Sequence, residues 1–152
     1  MARVYLETTV LSAIVTDRLD LASLYRRESS RKWMQEVGPE HELFTSVEVI
    51  RELSDPRFPL RVAALEHAEQ LPLLEINDEV IACAQMLVTS LVMPQPVAGD
   101  ALHVAVCAVH GIDYLLSWNV KHLSNPNKVP HLRSALAEMG LDAPAILTPD
   151  ML

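Results

Sequence analysis

The chain has 152 residues, a length that suits one domain with a single hydrophobic core. Half of the residues are hydrophobic and only 21% are charged, which excludes disorder as the main state. No apolar run is long enough to cross a bilayer, and Glu7 interrupts the N-terminal segment before a signal-like stretch develops. We therefore expect a cytoplasmic protein that does not associate with membranes.

The net charge of −8 argues against broad, non-specific binding of nucleic acid. The charge is uneven, however, because residues 117–134 include no acid but contain Lys121, Lys128 and Arg133. Residues 26–32 carry a second basic group, Arg26, Arg27, Arg31 and Lys32. We expect this group to be a solvated or partner-facing side of a helix. A local basic surface is compatible with one acidic substrate, because the local field matters more than the total charge.

The two cysteines predict buried thiols rather than a disulfide. Cys83 and Cys107 both lie within helical patterns, without turn residues around them. Such cysteines behave as small apolar side chains in a reducing compartment.

Short apolar runs alternate with longer helical patterns, which is typical of a mostly parallel sheet covered on both faces. In chain order, the runs predict strands at residues 4–6, 43–45, 73–76, 114–116 and 145–147. The patterns between them predict helices at residues 10 onwards, 21–37, 47–53, 60–71, 78–91, 100–110 and 132–139. The sequence therefore predicts one α/β domain over residues 1–152, with three layers, α/β/α, around a sheet of four to five strands.

Polar side chains follow the predicted strands where a parallel sheet binds ligands, at the carboxyl ends of its strands. Glu7 follows the first strand, and Glu52 lies on the helix after the second. Asp100 opens the helix that leads into the fourth strand, and Asn119 follows that strand, two residues past Ser117. We expect the three acids and the asparagine to point into one crevice.

Three carboxylates in one crevice repel each other, and a divalent cation is the simplest way to keep them ionised. Oxygen ligands without a cysteine or histidine cage favour Mg²⁺ or Mn²⁺ over zinc. Such an ion would activate a water molecule and neutralise the charge that develops on a phosphodiester.

Each of these polar residues, taken alone, also fits a purely structural role. Thr8 or Thr9 is expected to cap a short helix after Glu7, and an acid such as Asp100 is favoured in any first helical turn. Glu52 fits a solvated helix face, and Asn119 fits the cap of a turn. Their joint arrangement is what favours a metal site.

Four segments, at residues 4–11, 45–53, 99–105 and 111–123, resemble the motifs of PIN-domain ribonucleases. They occur in the family's order and cover nearly the whole chain, and the last two are the most specific. The closest similarity is to the VapC-like toxins of bacterial type II toxin–antitoxin systems. The resemblance implies a doubly wound PIN-like fold and Mg²⁺- or Mn²⁺-dependent hydrolysis of RNA. It also implies a homodimer and inhibition by a small antitoxin protein.

The resemblance also implies roles for individual residues. Glu7, Glu52 and Asp100 would hold the metal, and Asn119 would complete the catalytic set in the fourth polar position. Thr8 would orient a ligand or water beside them. Two positions differ from the usual pattern, because the first acid is usually aspartate and the fourth position is often acidic. The neutral Asn119 would weaken the binding of a second metal ion.

Several neighbouring residues are candidates for supporting roles. Ser117 is expected to support the site, and Glu48 either supports Glu52 or is a solvated helix acid, the second being favoured. Lys121 and His122 either contact RNA phosphate or form an exposed loop pair.

Two further residues are expected to be structural. His103 shares a helix face with Asp100, and a hydrogen bond to a nearby polar group is favoured over a zinc ligand, whose partners cannot be placed. Trp118 is expected to pack rather than to stack on a base.

Two other functions remain open at this stage. One is a PIN-like module with weak or no catalysis that binds a protein or RNA partner. The other is a doubly wound phosphotransfer or phosphatase domain, which ranks last. Such a domain would need an aspartate nucleophile after the first strand, where this chain has Glu7, and the chain has no phosphate-binding glycine loop.

Overall fold

The computed structural model describes residues 1–123 and 125–152. Its centre is one sheet of five parallel strands in the order β3-β2-β1-β4-β5. The strands are β1 Arg3–Leu6, β2 Glu42–Ser46, β3 Leu73–Leu74, β4 Tyr114–Leu116 and β5 Ala145–Leu147. The predicted α/β class with a central parallel sheet is confirmed.

The described residues form seven α-helices that flank the sheet: α1 Thr8–Val15, α2 Leu21–Glu36, α3 Val47–Leu53, α4 Arg61–Ala68, α5 Asp78–Thr89, α6 Asp100–Val109 and α7 Val129–Ala137. Helix α1 packs against α2, α3 and α4, whereas α5 packs against α6 and α7. The two groups of helices form the outer layers of a three-layer α/β/α fold, as predicted. Across the described residues, no helix combines the length and the apolar composition that a bilayer crossing requires.

The strand order places a switch point beside β1. The chain builds β1, β2 and β3 towards one edge and then crosses back to build β4 and β5 on the other side of β1. The last paired residues of β1 and β4, Leu6 and Leu116, lie side by side in register. Doubly wound sheets bind ligands in the crevice that opens at such a switch point. Glu7 and Ser117, the residues that follow these strands, enter that crevice together.

Some predicted boundaries differ from the observed ones. The third strand is limited to Leu73–Leu74, although residues 73–76 were expected to be extended. Helix α7 starts at Val129 rather than at residue 132, because Pro130 fits the first turn of a helix, where no backbone N–H is needed. Helix α1 starts at Thr8, and its cap is Glu7 rather than Thr8 or Thr9.

The core lies on both faces of the central strand. Val4, Tyr5 and Leu6 of β1 are fully buried. Cys83 and Cys107 are buried free thiols, as predicted. Burial raises the pKa of Cys83 to about 11 and that of Cys107 well above its usual range.

Candidate metal centre

Glu7 is fixed at the carboxyl end of β1 by both its backbone and its side chain. Its N–H donates to the Leu116 carbonyl at 3.1 Å, and its side chain is only 4% exposed. Oε2 accepts hydrogen bonds from Thr9 N at 3.1 Å, from Thr9 Oγ1 at 2.5 Å and from Ser117 Oγ at 2.7 Å. Oε1 accepts none from the described residues, so it is available to a ligand.

Glu52 approaches the crevice from the last turn of α3 and shows the same division between its two oxygens. Oε1 accepts a hydrogen bond from Thr8 Oγ1 at 2.5 Å and lies 2.6 Å from His103 Nε2. Oε2 faces Gly99, where an added Cβ would lie 4.0 Å away. Within the described part of the chain, Oε2 accepts no hydrogen bond.

Asp100 is the first residue of α6 and is held by the residue that follows β4. Its Oδ1 accepts a hydrogen bond from Asn119 Nδ2 at 3.3 Å, whereas no described residue donates to Oδ2. Burial raises the pKa of Asp100, and the negative charge of Glu52 adds to that rise. All three predicted acids therefore have one oxygen anchored by the protein and one oxygen open.

His103 of α6 lies closer to the two glutamates than Asp100 does. Among the described residues, Glu7, Glu52 and His103 form the group whose ligand atoms all lie within 4.8 Å of one another. His103 Nδ1 lies 2.7 Å from Tyr5 Oη, which in turn lies 2.7 Å from Ser46 Oγ. The expected hydrogen bond to a polar group is confirmed, and His103 is fully buried.

Burial dominates the ionisation of Glu7 and Asp100. Desolvation raises the pKa of Glu7, although the charge of His103 and the hydrogen bonds from Thr9 lower it in part. Desolvation also raises the pKa of Asp100, against the lowering effects of His103 and His122. For both acids the loss of hydration therefore outweighs the effect of the nearby positive groups, an imbalance that a bound cation would relieve.

Glu52 and His103 compensate each other. Burial alone would raise the pKa of Glu52, but the hydrogen bond and charge of His103, together with Thr8 and Arg51, outweigh burial and lower it. Burial would lower the pKa of His103, but the hydrogen bond to Glu52 and the charge of Glu7 raise it. Because an ionised carboxylate only accepts hydrogen bonds, His103 Nε2–H is the donor to Glu52 Oε1.

Glu48 is a buried support rather than the solvated helix acid that we favoured. Its side chain is 3% exposed and forms an ion pair with Arg51. Glu48 Oε2 accepts a hydrogen bond from the backbone N–H of Gly99 at 3.3 Å. Gly99 has φ +91°, a conformation that favours glycine, and Asp100 follows it directly. Glu48 therefore helps to fix the turn that delivers Asp100 to the crevice.

Ser117 and Asn119 link the acids of the crevice to each other. Ser117 Oγ donates to Glu7 and accepts from the Asn119 N–H at 2.9 Å. Asn119 Oδ1 accepts from the His122 N–H at 3.3 Å, while its amide nitrogen donates to Asp100. The side-chain oxygen of Asn119 is thus directed to backbone, and the residue positions Asp100.

The three remaining candidate residues, Lys121, His122 and Trp118, differ in how far they are buried. Lys121 is exposed, and no described residue pairs with its charge. His122 is half-buried and lowers the pKa of Asp100, as does Lys128. Trp118 packs as expected, since it is 7% exposed and its Nε1 donates to Ser30 Oγ at 2.8 Å.

Sequence reasoning missed three residues that organise the centre, Tyr5, Thr9 and Gly99, and it placed His103 beside Asp100 without identifying its contact with Glu52. Thr9 and Gly99 are direct neighbours of candidate site residues, a proximity that was a usable signal. Tyr5 carried no such signal, because it occurs within an apolar run typical of core.

No protein-family model, no curated protein and no solved structure matches the chain. A functional assignment therefore depends on the fold and on the geometry of the crevice.

Proposed function

We propose that the chain is a metal-dependent endoribonuclease of the PIN type, which hydrolyses RNA phosphodiester bonds with Mg²⁺ or Mn²⁺. One observation carries the proposal. Glu7, Glu52 and Asp100 come from three separate parts of the chain and border the crevice at the switch point of a parallel sheet, where Glu7 and Glu52 lie within 4.8 Å of each other and Asp100 lies outside that closest group. Each of them keeps one oxygen anchored and the other free of hydrogen bonds from the described residues.

The donor set fits a hard divalent cation. Glu7 Oε1, Glu52 Oε2 and Asp100 Oδ2 would hold it, and carboxylate oxygens are the ligands that Mg²⁺ and Mn²⁺ prefer. Both ring nitrogens of His103 are occupied by Tyr5 and Glu52, so we assign His103 to positioning rather than to coordination. When bound, the ion supplies Lewis-acid activation of water and neutralises charge on the phosphodiester.

The hydrogen bonds around the acids would hold them ready for the ion. Thr9 and Ser117 restrain Glu7, Thr8 and His103 restrain Glu52, and Asn119 restrains Asp100. Such outer contacts fix the orientation of ligating side chains before the ion arrives, which limits the reorganisation that binding requires.

The resemblance of the four segments to PIN-domain ribonucleases also supports a proposal for the biological role of the chain. We infer a VapC-like toxin that acts as a homodimer and is restrained by a small antitoxin protein. The inference predicts that a reading frame next to this one encodes a small protein with a DNA-binding start and a flexible tail.

A second candidate function is a binding module with an impaired metal site. The Glu52–His103 ion pair favours it, because one acid of the crevice already has a positive partner. Calorimetric titration with Mn²⁺ separates the two functions. Binding that is lost in Glu7→Gln and Asp100→Asn supports the nuclease, whereas absent binding in a folded protein supports the module.

Cleavage of a structured RNA with Mg²⁺ or Mn²⁺ tests the nuclease directly. We expect Glu7→Gln and Asp100→Asn to abolish cleavage, because each removes one charge from the crevice. Glu66→Gln and Asp142→Asn are matched controls on exposed positions and should cleave like the unmodified chain. Equal cleavage by all four variants would rule the assignment out.

A further inference from the structure

A groove of about 250 Å³ lies beside the metal centre. Its lining includes Ala13 of α1, Phe58 from the loop between α3 and α4, and Trp118 after β4. Arg18 and Arg26 add two guanidinium groups to this lining. We call it the Arg18–Arg26 groove. It combines an apolar surface with two cations, although the chain as a whole is acidic.

The groove shares a residue with the metal centre. Thr9 lines the groove and donates its hydroxyl hydrogen to Glu7 Oε2 at 2.5 Å. The same hydroxyl oxygen accepts the backbone N–H of Trp118 at 2.8 Å. A ligand in the groove would therefore lie next to the atoms that hold the ion.

The two arginines are available to an anion. The Arg26 guanidinium lies 5.8 Å from the centre of the Trp118 ring, and Arg26 makes no ion pair with any residue that the structure describes. Arg18 pairs with Asp20 at 3.9 Å, and both side chains are largely exposed. Exposed pairs of this kind contribute little, so Arg18 can exchange its partner readily.

We propose that the Arg18–Arg26 groove binds one nucleotide of single-stranded RNA next to the bond that is cut. The inference rests on the proposed nuclease function and adds a substrate subsite to it. Guanidinium groups bind phosphate through two parallel hydrogen bonds, and bases also pack on the arginine plane, so the base would lie on Arg26 rather than on the buried Trp118 ring beneath it. The groove is smaller than the roughly 300–1,000 Å³ of a site for a whole small molecule, so it suits one unit of a longer chain.

Hydroxyl groups complete the match to a nucleotide. Ser12, Thr16 and Ser23 also line the groove, and none of them is fully buried. Hydroxyl side chains can both donate to and accept from the 2′-hydroxyl of ribose, which is the group that distinguishes RNA from DNA.

Binding of a fluorescein-labelled oligouridylate, measured by anisotropy in EDTA, tests the subsite without cleavage. We expect Arg18→Ala and Arg26→Ala each to raise Kd about tenfold and to reduce the slope of log Kd against log salt by about 0.7. The control is Arg133→Ala, which removes the same charge from an exposed position on α7, outside the groove. Equal changes in all three variants, or none in the first two, would overturn the subsite.

Trp118 provides a second readout. The chain has two tryptophans, so Trp33→Phe leaves Trp118 as the single fluorophore. We expect oligouridylate to quench its emission and the matching oligodeoxyuridylate to quench it less. Equal quenching by the two would contradict the expected contact with ribose.

The subsite and the nuclease function can fail separately. Groove-dependent binding without cleavage would leave the subsite in place and refute the nuclease. Cleavage with Mn²⁺ whose KM is unchanged in Arg18→Ala and Arg26→Ala would support the nuclease and refute the subsite.

Discussion

His103 Nε2 donates to Glu52 Oε1 across 2.6 Å, while the other ring nitrogen of His103 lies 2.7 Å from the hydroxyl of Tyr5. The imidazole is fully buried, so it cannot turn away from either partner without leaving a buried polar group unsatisfied. Tyr5 is itself held by Ser46 at 2.7 Å. The orientation of one carboxylate in the crevice is therefore set by the core of the protein.

Replacement of His103 tests this coupling. We expect His103→Ala to weaken Mn²⁺ binding about 10- to 100-fold, the usual effect of losing an outer contact to a metal ligand. His103→Gln keeps an N–H donor in place of Nε2 and should recover part of the affinity. Calorimetric titration measures both variants, with His67→Ala on the exposed side of α4 as the control. Unchanged affinity in His103→Ala would show that Glu52 does not depend on the imidazole.

Gly99 provides a separate test of how Asp100 is positioned. At φ +91° an alanine is strained, although space for its Cβ exists, so Gly99→Ala should cost about 1–2 kcal/mol of stability. The backbone shift that relieves the strain should move Asp100 and weaken Mn²⁺ binding. Gly140→Ala is the matched control, since Gly140 has φ +72° and no atom within 4 Å of an added Cβ. Denaturant unfolding should show similar losses in both variants, and titration should show a loss of affinity in Gly99→Ala alone.

The fold could be predicted from the sequence because the hydrophobic residues of its strands and of its helices recur with different periods. The fully buried residues of β1 form a short apolar run, which is typical of a strand covered on both faces. The first and last residues of the strands and helices were harder to predict. The third strand ends at Leu74 because its neighbour β2 ends at Ser46, the residue that pairs with Leu74, and nothing in residues 73–76 encodes where β2 ends.

Only part of the candidate site could be predicted from the sequence. Glu7 and Asp100 stand directly at the ends of elements, where a parallel sheet opens its crevice, so their convergence follows from topology. The partners of His103 could not be identified, because Tyr5 and Glu52 are 98 and 51 residues away in the chain. The burial of Glu48 was missed for a similar reason, since its partner is the backbone of Gly99.

The pH dependence of thiol reactivity tests the packing of α5. Because burial raises the pKa of Cys83 to about 11, the thiol stays protonated at pH 8, and its reactivity should rise only as the pH approaches that value. An unfolded cysteine has a pKa near 8.5 and reacts readily at pH 8. We expect slow labelling by a disulfide reagent in the native protein and rapid labelling of two thiols in guanidinium chloride. Rapid labelling of the native protein at pH 8 would contradict the burial of both cysteines.

Thermal unfolding with and without Mn²⁺ tests the charge balance of the crevice. Burial raises the pKa of Glu7 above its value in the unfolded chain, so folding of the metal-free protein is less favourable with a charged Glu7 than with a neutral side chain at this position. Glu7→Gln should therefore unfold at the same or a higher temperature than the unmodified chain when EDTA is present.

Mn²⁺ at about 100 times its Kd should stabilise the unmodified chain by about 2.7 kcal/mol and leave the stability of Glu7→Gln unchanged, because a ligand that binds only the folded state shifts the folding equilibrium. The exposed variant Glu66→Gln should respond to Mn²⁺ like the unmodified chain. If Mn²⁺ stabilised Glu7→Gln as strongly as the unmodified chain, the ion would be bound elsewhere, and the three acids would not be its ligands.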